Sequence, residues 1–202
     1  MSVFNSLIDQ SQVVTILKEA VASANSAGDL SQVMTNTWLF TGPAGSGRSN
    51  AAIAFAAALV CKDGGCSKCQ DCLSTILGTH ADVELIKTQG LSIKIDEVRE
   101  LISRASWAPS VANFRVVVIE DADRLTDSAA NALLKVIEEP GLRTIWLLCA
   151  LTLTDVLPTI RSRCRHLALR TPSTKAITNL LIERDQIDTK TAEFVARASG
   201  GH

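Results

Sequence analysis

Gly42-Pro43-Ala44-Gly45-Ser46-Gly47-Arg48-Ser49 is the run that most restricts what this chain can fold into. Gly, four residues, then Gly-Lys-Ser/Thr is the pattern of a phosphate-binding loop. Here Arg48 stands where that pattern has lysine. The apolar run Thr37-Trp38-Leu39-Phe40-Thr41 precedes the loop, and the alanine-rich stretch Asn50 to Val60 follows it. Strand, glycine-rich loop and helix in that order are the context the motif requires. Gly42, Gly45 and Gly47 would let backbone N–H groups converge on phosphate oxygens, with the positive end of the following helix aimed at the same point. Ser49 would ligate magnesium, and ATP with Mg2+ is the cofactor such a loop takes. Lysine acts there as a compact point charge, whereas arginine is longer, planar and forked. Arg48 can attract phosphate yet sits wrongly for a transferring group, which argues against efficient turnover.

Alternating apolar runs and helical stretches extend the loop's implication to the whole fold. The runs are Trp38–Thr41, Val83–Lys87, Val116–Ile119, Ile145–Ala150 and His166–Leu169. Helices are expected between them from near Gly47, Lys68, Asp96, Asp127 and Thr154. This alternation predicts an α/β fold, a parallel five-stranded sheet with helices on both faces. An amphipathic helix is expected before it, from Leu7 to about Ala24, followed by a polar connection from Ser26 to Asn36. Thr171-Pro172-Ser173 interrupts the pattern, and two further helices are expected at Ser173–Arg184 and Thr189–Ala198. A domain boundary is therefore expected near Thr171, with 1–171 as the nucleotide-binding domain and 172–202 as the start of a second, truncated one.

With 47% apolar residues and a net charge of −1, the chain can bury a core and carries no basic field for nucleic acid. It has no apolar run of about 18 residues for a membrane span and no signal-peptide pattern at Met1-Ser2-Val3-Phe4-Asn5. A cytoplasmic location, where thiols stay reduced, is the expectation.

Val116-Val117-Val118-Ile119 ends in Glu120-Asp121-Ala122-Asp123. In phosphate-loop ATPases a strand end of this kind holds magnesium and orients water. The usual order is Asp then Glu; here Glu120 takes the metal position and Asp121 the water position, a second departure unfavourable to hydrolysis. Asp123 reads as a cap for the next helix.

Cys61, Cys66, Cys69 and Cys72 lie close in sequence, with Gly64-Gly65 between them. Four thiolates suit a closed, structural Zn2+ site; disulfides are the alternative and need an oxidising compartment. His80 reads as a loop residue and Cys149 as a core residue. A zinc-ribbon nucleic-acid binder would need basic and aromatic residues around the cysteines, and Lys62 and Lys68 stand there without aromatics.

Two later blocks are more specific. Asn131-Ala132-Leu133-Leu134-Lys135-Val136-Ile137-Glu138-Glu139-Pro140 and Ser162-Arg163-Cys164 together resemble the bacterial clamp-loader branch of the AAA+ ATPases, as does a four-cysteine module after the phosphate-loop helix. Leu7-Ile8-Asp9-Gln10 is similar to that family's opening box. Within the branch the chain looks like the delta-prime type, and the resemblance covers essentially its whole length. It implies an AAA+ domain followed by a helical lid and a collar, with the lid arginine falling beyond His202. It implies sister gamma/tau and delta subunits, a sliding clamp, and primer-template DNA reached through the complex. By the same resemblance Arg163 is an arginine finger that completes a neighbouring subunit's ATP site, and Thr152 stands where the family places a polar sensor. An isolated reading makes Arg161, Arg163 and Arg165 a solvated basic edge. The alternative within the family is an ATP-hydrolysing motor subunit. Nothing in the chain resembles a polymerase active site.

Overall fold

A computed structural model describes residues 2–26, 35–88, 90–141 and 143–199. Helix α1 spans Ser11–Ser26, β1 Thr37–Thr41, α2 Arg48–Val60, α3 Gln70–Ile76 and β2 Val83–Ile86. Then come α4 (Ile95–Ala105), β3 (Arg115–Ile119), α5 (Asp127–Glu138), β4 (Thr144–Ala150), α6 (Pro158–Arg161) and β5 (Arg165–Ala168). Helices α7 (Thr174–Asp185) and α8 (Thr189–Ser199) follow and pack against each other. The five strands pair in the order β2-β3-β4-β1-β5, and every pairing is parallel. The expected parallel five-stranded sheet is the one observed. Most of the polar connection expected at Ser26 to Asn36 lies outside the described residues.

The central strands β1, β3 and β4 are buried on both faces, which is why they read as continuous apolar runs rather than alternating ones, while β2 and β5 at the edges are partly exposed. Successive side chains still point to opposite sides. Trp38, Phe40, Val116, Val118, Ile145, Leu147 and Cys149 enter one core, with Val13 and Leu17 of α1 and most of α2. Leu39, Val117, Ile119, Trp146, Leu148 and Ala150 enter the other, with α4, α5 and Ile160 of α6. Helix α2 buries nearly all its residues from Ala51 to Val60. Its small side chains explain the weak amphipathic signal in the sequence: a helix covered on all sides needs no polar face.

Two expected helix starts are displaced, each for a local reason. Instead of a helix from Leu7, a 3-10 turn at Val3–Ser6 comes first and α1 begins at Ser11. Asp9 sits between them at φ 56°, a left-handed conformation that an α-helix cannot contain. Instead of a helix from Thr154, a 3-10 turn covers Leu153–Asp155 and α6 begins at Pro158. Proline has no N–H to donate and holds Leu157 extended at ψ 135°, so the helix can start only there.

Candidate functional site

The phosphate loop joins the end of β1 to the start of α2, where the sheet's strands finish. Its first N–H, that of Gly42, donates to the Leu151 carbonyl just past β4, and Leu169 N–H donates to Thr41. The loop is thus fixed from both neighbouring strands. A side chain at position 42 would lie 2.8 Å from the Leu169 carbonyl oxygen, so only glycine fits that approach. Gly47 is the N-cap of α2 at φ 80°, a conformation glycine adopts without strain. It offers no side chain to the first N–H groups of α2, which leaves a helix N-terminus with the electrostatics that favour an anion.

Arg48 does not extend into that space. Its Nη1 donates to the carbonyls of Gly42 (3.0 Å) and Pro43 (3.2 Å), inside the loop it belongs to. Its Nε is buried without a partner among the described residues. The guanidinium therefore braces the loop's carbonyls, a use that its several donors allow and that a single ammonium would serve less completely.

Gly45, Gly47, Arg48 and Ser49 line one wall of a cleft of about 870 Å3. Leu7 and Ile8 line another part, and Pro172, Ile177, Leu180 and Leu181 close it from the side of α7. An apolar slot beside a loop with free N–H groups suits a planar ring joined to phosphates. Gln10 holds the walls together. Its amide donates to the Arg170 carbonyl (2.6 Å) and, at 3.4 Å, to the Ser46 carbonyl. Beside it, Asp9 accepts from the N–H (2.8 Å) and hydroxyl (2.6 Å) of Ser173, the N-cap of α7. The Ser173 hydroxyl, followed by its N–H, holds the Asp9 carboxyl below its ordinary range.

The strand-end acids lie across β4 from the loop. Glu120 is mostly buried and its Oε2 is 3.8 Å from Lys87 Nζ, so the side chain expected at the metal position already has a cation beside it. Asp121 precedes the 3-10 turn Ala122–Arg124 without capping it through its side chain, and one carboxylate oxygen of Asp123 is buried without a partner. The Cys149 thiol, expected as a core residue, is fully buried, with its sulfur 3.8 Å from the Arg48 carbonyl oxygen. Burial first, then Glu120, raises its pKa, against an opposing effect of Arg48. Arg48 and the acids thus act on one buried point. Thr152, the expected sensor, is exposed, and its hydroxyl pairs with that of Thr154 at 2.7 Å.

Arg163 lies at the other end of the sheet. Arg165 at the start of β5 pairs with Trp38, while Ala168 at its end pairs with Thr41, next to the loop. At about 3.3 Å per strand residue, roughly 10 Å of strand separates Arg163 from the level of its own phosphate loop. The guanidinium rests on the surface: Nη1 donates to the Thr159 carbonyl (2.8 Å) and the Ser162 hydroxyl (3.3 Å). Its Nη2 is 2.8 Å from Glu138 Oε1, at the last turn of α5.

The four cysteines converge as the spacing predicts. The Sγ atoms of Cys61, Cys66, Cys69 and Cys72 all lie within 4.8 Å of one another, and none is in a disulfide. Cys61 is 3.8 Å from Cys66 and 3.6 Å from Cys69. Tetrahedral zinc with bonds of about 2.3 Å separates its sulfurs by about 3.8 Å. The N–H groups of Cys69 and Cys72 point at Cys66 and Cys69 Sγ, both at 3.4 Å. The backbone N–H groups of Lys68 and Cys69 pull the Cys66 thiol down to about 7, while burial raises Cys72. This cluster can hold a metal ion. His80 is in a loop, as expected, but is buried: its Nδ1 accepts from Asp82 N–H at 3.0 Å, and its Nε2 is 3.6 Å from Asp71 of α3.

Asp82 carried no signal in the sequence. It is fully buried and accepts from the N–H groups of Ser110, Val111 and Ala112 and from the Ser110 hydroxyl, at 2.7 to 2.9 Å. Burial alone would raise its pKa, but the donors from Ala112, Ser110 and Val111 outweigh that and hold it at about 2. Its partners lie 28 to 30 residues away, beyond any local pattern. Among the described residues, no helix is long and apolar enough to cross a membrane.

The family described as DNA polymerase III, delta subunit, matches residues 10–173. The chain belongs to this family. A delta-prime subunit of DNA polymerase III from Bacillus subtilis is 35% identical over 75% of the chain and 47% of its own length. A gamma/tau subunit from Mycobacterium tuberculosis is 32% identical over 83% of the chain and 31% of its own length. The chain thus spans about half of the first of these relatives and a third of the second. In fold it is similar to the RuvB Holliday junction branch migration motor of Thermotoga maritima, with a TM-score of 0.66 and 19% identity over 98% of the chain and 59% of that one. The delta-prime resemblance stands on the family match and the Bacillus subtilis relative, and the RuvB likeness agrees in fold with the parallel sheet.

Proposed function

We propose that this chain acts as a clamp-loader subunit of DNA polymerase III, the stator that lends Arg163 to a neighbour's ATP site. Two facts taken together carry the reading. Arg163 is exposed at the end of the sheet away from its own loop, and the loop's own cation is turned onto loop carbonyls. A guanidinium so placed can reach a phosphate only on another molecule. An arginine supplied in trans stabilises charge on the transferring phosphoryl group. The partners in this reading are gamma/tau and delta subunits, a sliding clamp, and primer-template DNA through the assembly, in the cytoplasm at the replisome. Residues 1–171 serve as the AAA+ domain with the cysteine module at 61–72, and 172–202 begin the lid.

The decisive experiment reconstitutes the loader from the full-length subunit and its sister subunits and measures DNA-stimulated ATPase. Arg163→Ala abolishes most of the turnover, and Arg48→Ala changes it little. The reverse pattern would establish the second reading, a motor subunit that hydrolyses its own ATP. That reading is favoured by the cleft beside the loop and by the gamma/tau relatives. In either case Ser49, Glu120 and Asp121 are the residues that would face Mg2+, and Gly42, Gly45 and Gly47 the phosphates; Arg48 would join them only in the motor reading. The cysteine cluster is proposed to hold structural zinc, so metal analysis of reduced protein should return one zinc per chain; none would remove the tetrathiolate site.

A further inference from the structure

The ion pair between Arg163 and Glu138 joins two blocks far apart in sequence that nothing about the fold requires to meet through charge. Glu138 is the last residue of α5, where a carboxylate faces the negative end of the helix macrodipole. A carboxylate is unfavourable there unless a cation answers it, and Arg163 Nη2 stands 2.8 Å away. Both side chains remain nearly half exposed, so burial does not force the contact. Helix α5 is itself anchored against the second core by Ala129, Ala130, Leu133 and Ile137. It therefore presents Glu138 from a rigid support. The Thr159 carbonyl and Ser162 hydroxyl hold Nη1 from the other side. No hydrogen bond among the described residues engages Nε, so that edge of the guanidinium is left for an external acceptor.

We infer that Glu138 is a positioning residue for the Arg163 finger, holding the guanidinium from α5 so that its Nε edge meets the neighbouring subunit's phosphate already oriented. Arginine is among the side chains with most rotamer freedom to lose, and orientation made in advance is not lost at the moment of reaction. Glu138 acts through Arg163 and touches no substrate. The inference rests on the trans-finger reading above.

The test uses the reconstituted loader with full-length subunits carrying Glu138→Gln, Arg163→Ala, or both. Glu138→Gln should lower kcat of DNA-stimulated ATPase about 5- to 10-fold, against the larger loss from Arg163→Ala, because a misplaced catalytic group costs less than a missing one. KM for ATP, subunit assembly and melting temperature should stay as in the parent. In the Arg163→Ala background, Glu138→Gln should add nothing. An unchanged kcat for Glu138→Gln beside a strong loss for Arg163→Ala overturns this inference and leaves the finger intact. A raised kcat overturns it too, since Glu138 would then be withholding the arginine. An equal further loss in the Arg163→Ala background makes Glu138 merely structural. If Arg163→Ala itself is without effect, the finger reading fails and this inference with it.

Discussion

Where the strands of the sheet finish, Arg48 is folded onto the carbonyls of Gly42 and Pro43, and Glu120 stands beside Lys87. Where the strands begin, Arg163 lies on the surface between Glu138 and the Thr159 carbonyl. The first end has the scaffold of a nucleotide site, yet Arg48 Nη1 and Glu120 already have partners within the chain. The second end presents a cation supported from two sides. The contrast is between a loop whose arginine is turned inward and a surface arginine held at the opposite end of the sheet.

The largest expected effect falls on the second end. Arg163→Ala should cost the assembled loader on the order of 10³-fold in ATPase, about 4 kcal/mol of transition-state stabilisation. A loss below tenfold would break the contrast. Next comes a change that touches neither Arg48 nor Arg163. Asp82→Asn removes the charge that organises Ser110 to Ala112 and should lower stability by about 2–3 kcal/mol, read from denaturant midpoints. The Asp82 pKa is depressed to about 2 in the folded chain, against about 3.9 unfolded. The stability it supplies is therefore present above pH 4 and lost as pH falls toward 2. The Asp82→Asn variant should lack that part of the acid dependence, and an unchanged profile would remove Asp82 from the account. A smaller effect is expected at the first end. Arg48→Lys should tighten Mg-ATP binding about tenfold by calorimetric titration, since an ammonium is not forked onto the carbonyls. No gain would show that the loop is limited by something other than its arginine. Smallest of all, Arg48→Ala should change turnover of the loader by less than about threefold, because the residue braces its own loop and not the reacting phosphate.

The sheet was legible in the sequence because each of its strands is either wholly apolar or flanked by turn residues. A parallel sheet covered on both faces writes itself as continuous apolar runs. The convergence of the cysteines was legible from spacing alone. The starts of α1 and α6 were misjudged because one left-handed residue, Asp9, and one proline, Pro158, decide them against the surrounding periodicity. At the site, the loop and the strand-end acids could be named from motifs. The inward turn of Arg48, the Lys87 partner of Glu120 and the pairing of Arg163 with Glu138 could not. Each depends on which rotamer a long side chain takes among several acceptors, and no pattern in the chain encodes that choice. Asp82 is the clearest case, since an acid before a strand looks like any other until its loop closes over it.

The clasp made by Asp9 and Gln10 has a consequence for synthesis. Gln10 bonds to Arg170, and Asp9 to Ser173, across 160 and 164 residues of chain. One wall of the cleft thus leaves the ribosome long before the facing wall. Until Ser173 has emerged, Leu7 and Ile8 have no opposite side to shelter against, and closing so long a loop is slow relative to local contacts. A nascent chain paused before that point would already have most of its strands but no enclosed pocket, and would expose apolar residues that a chaperone could recognise.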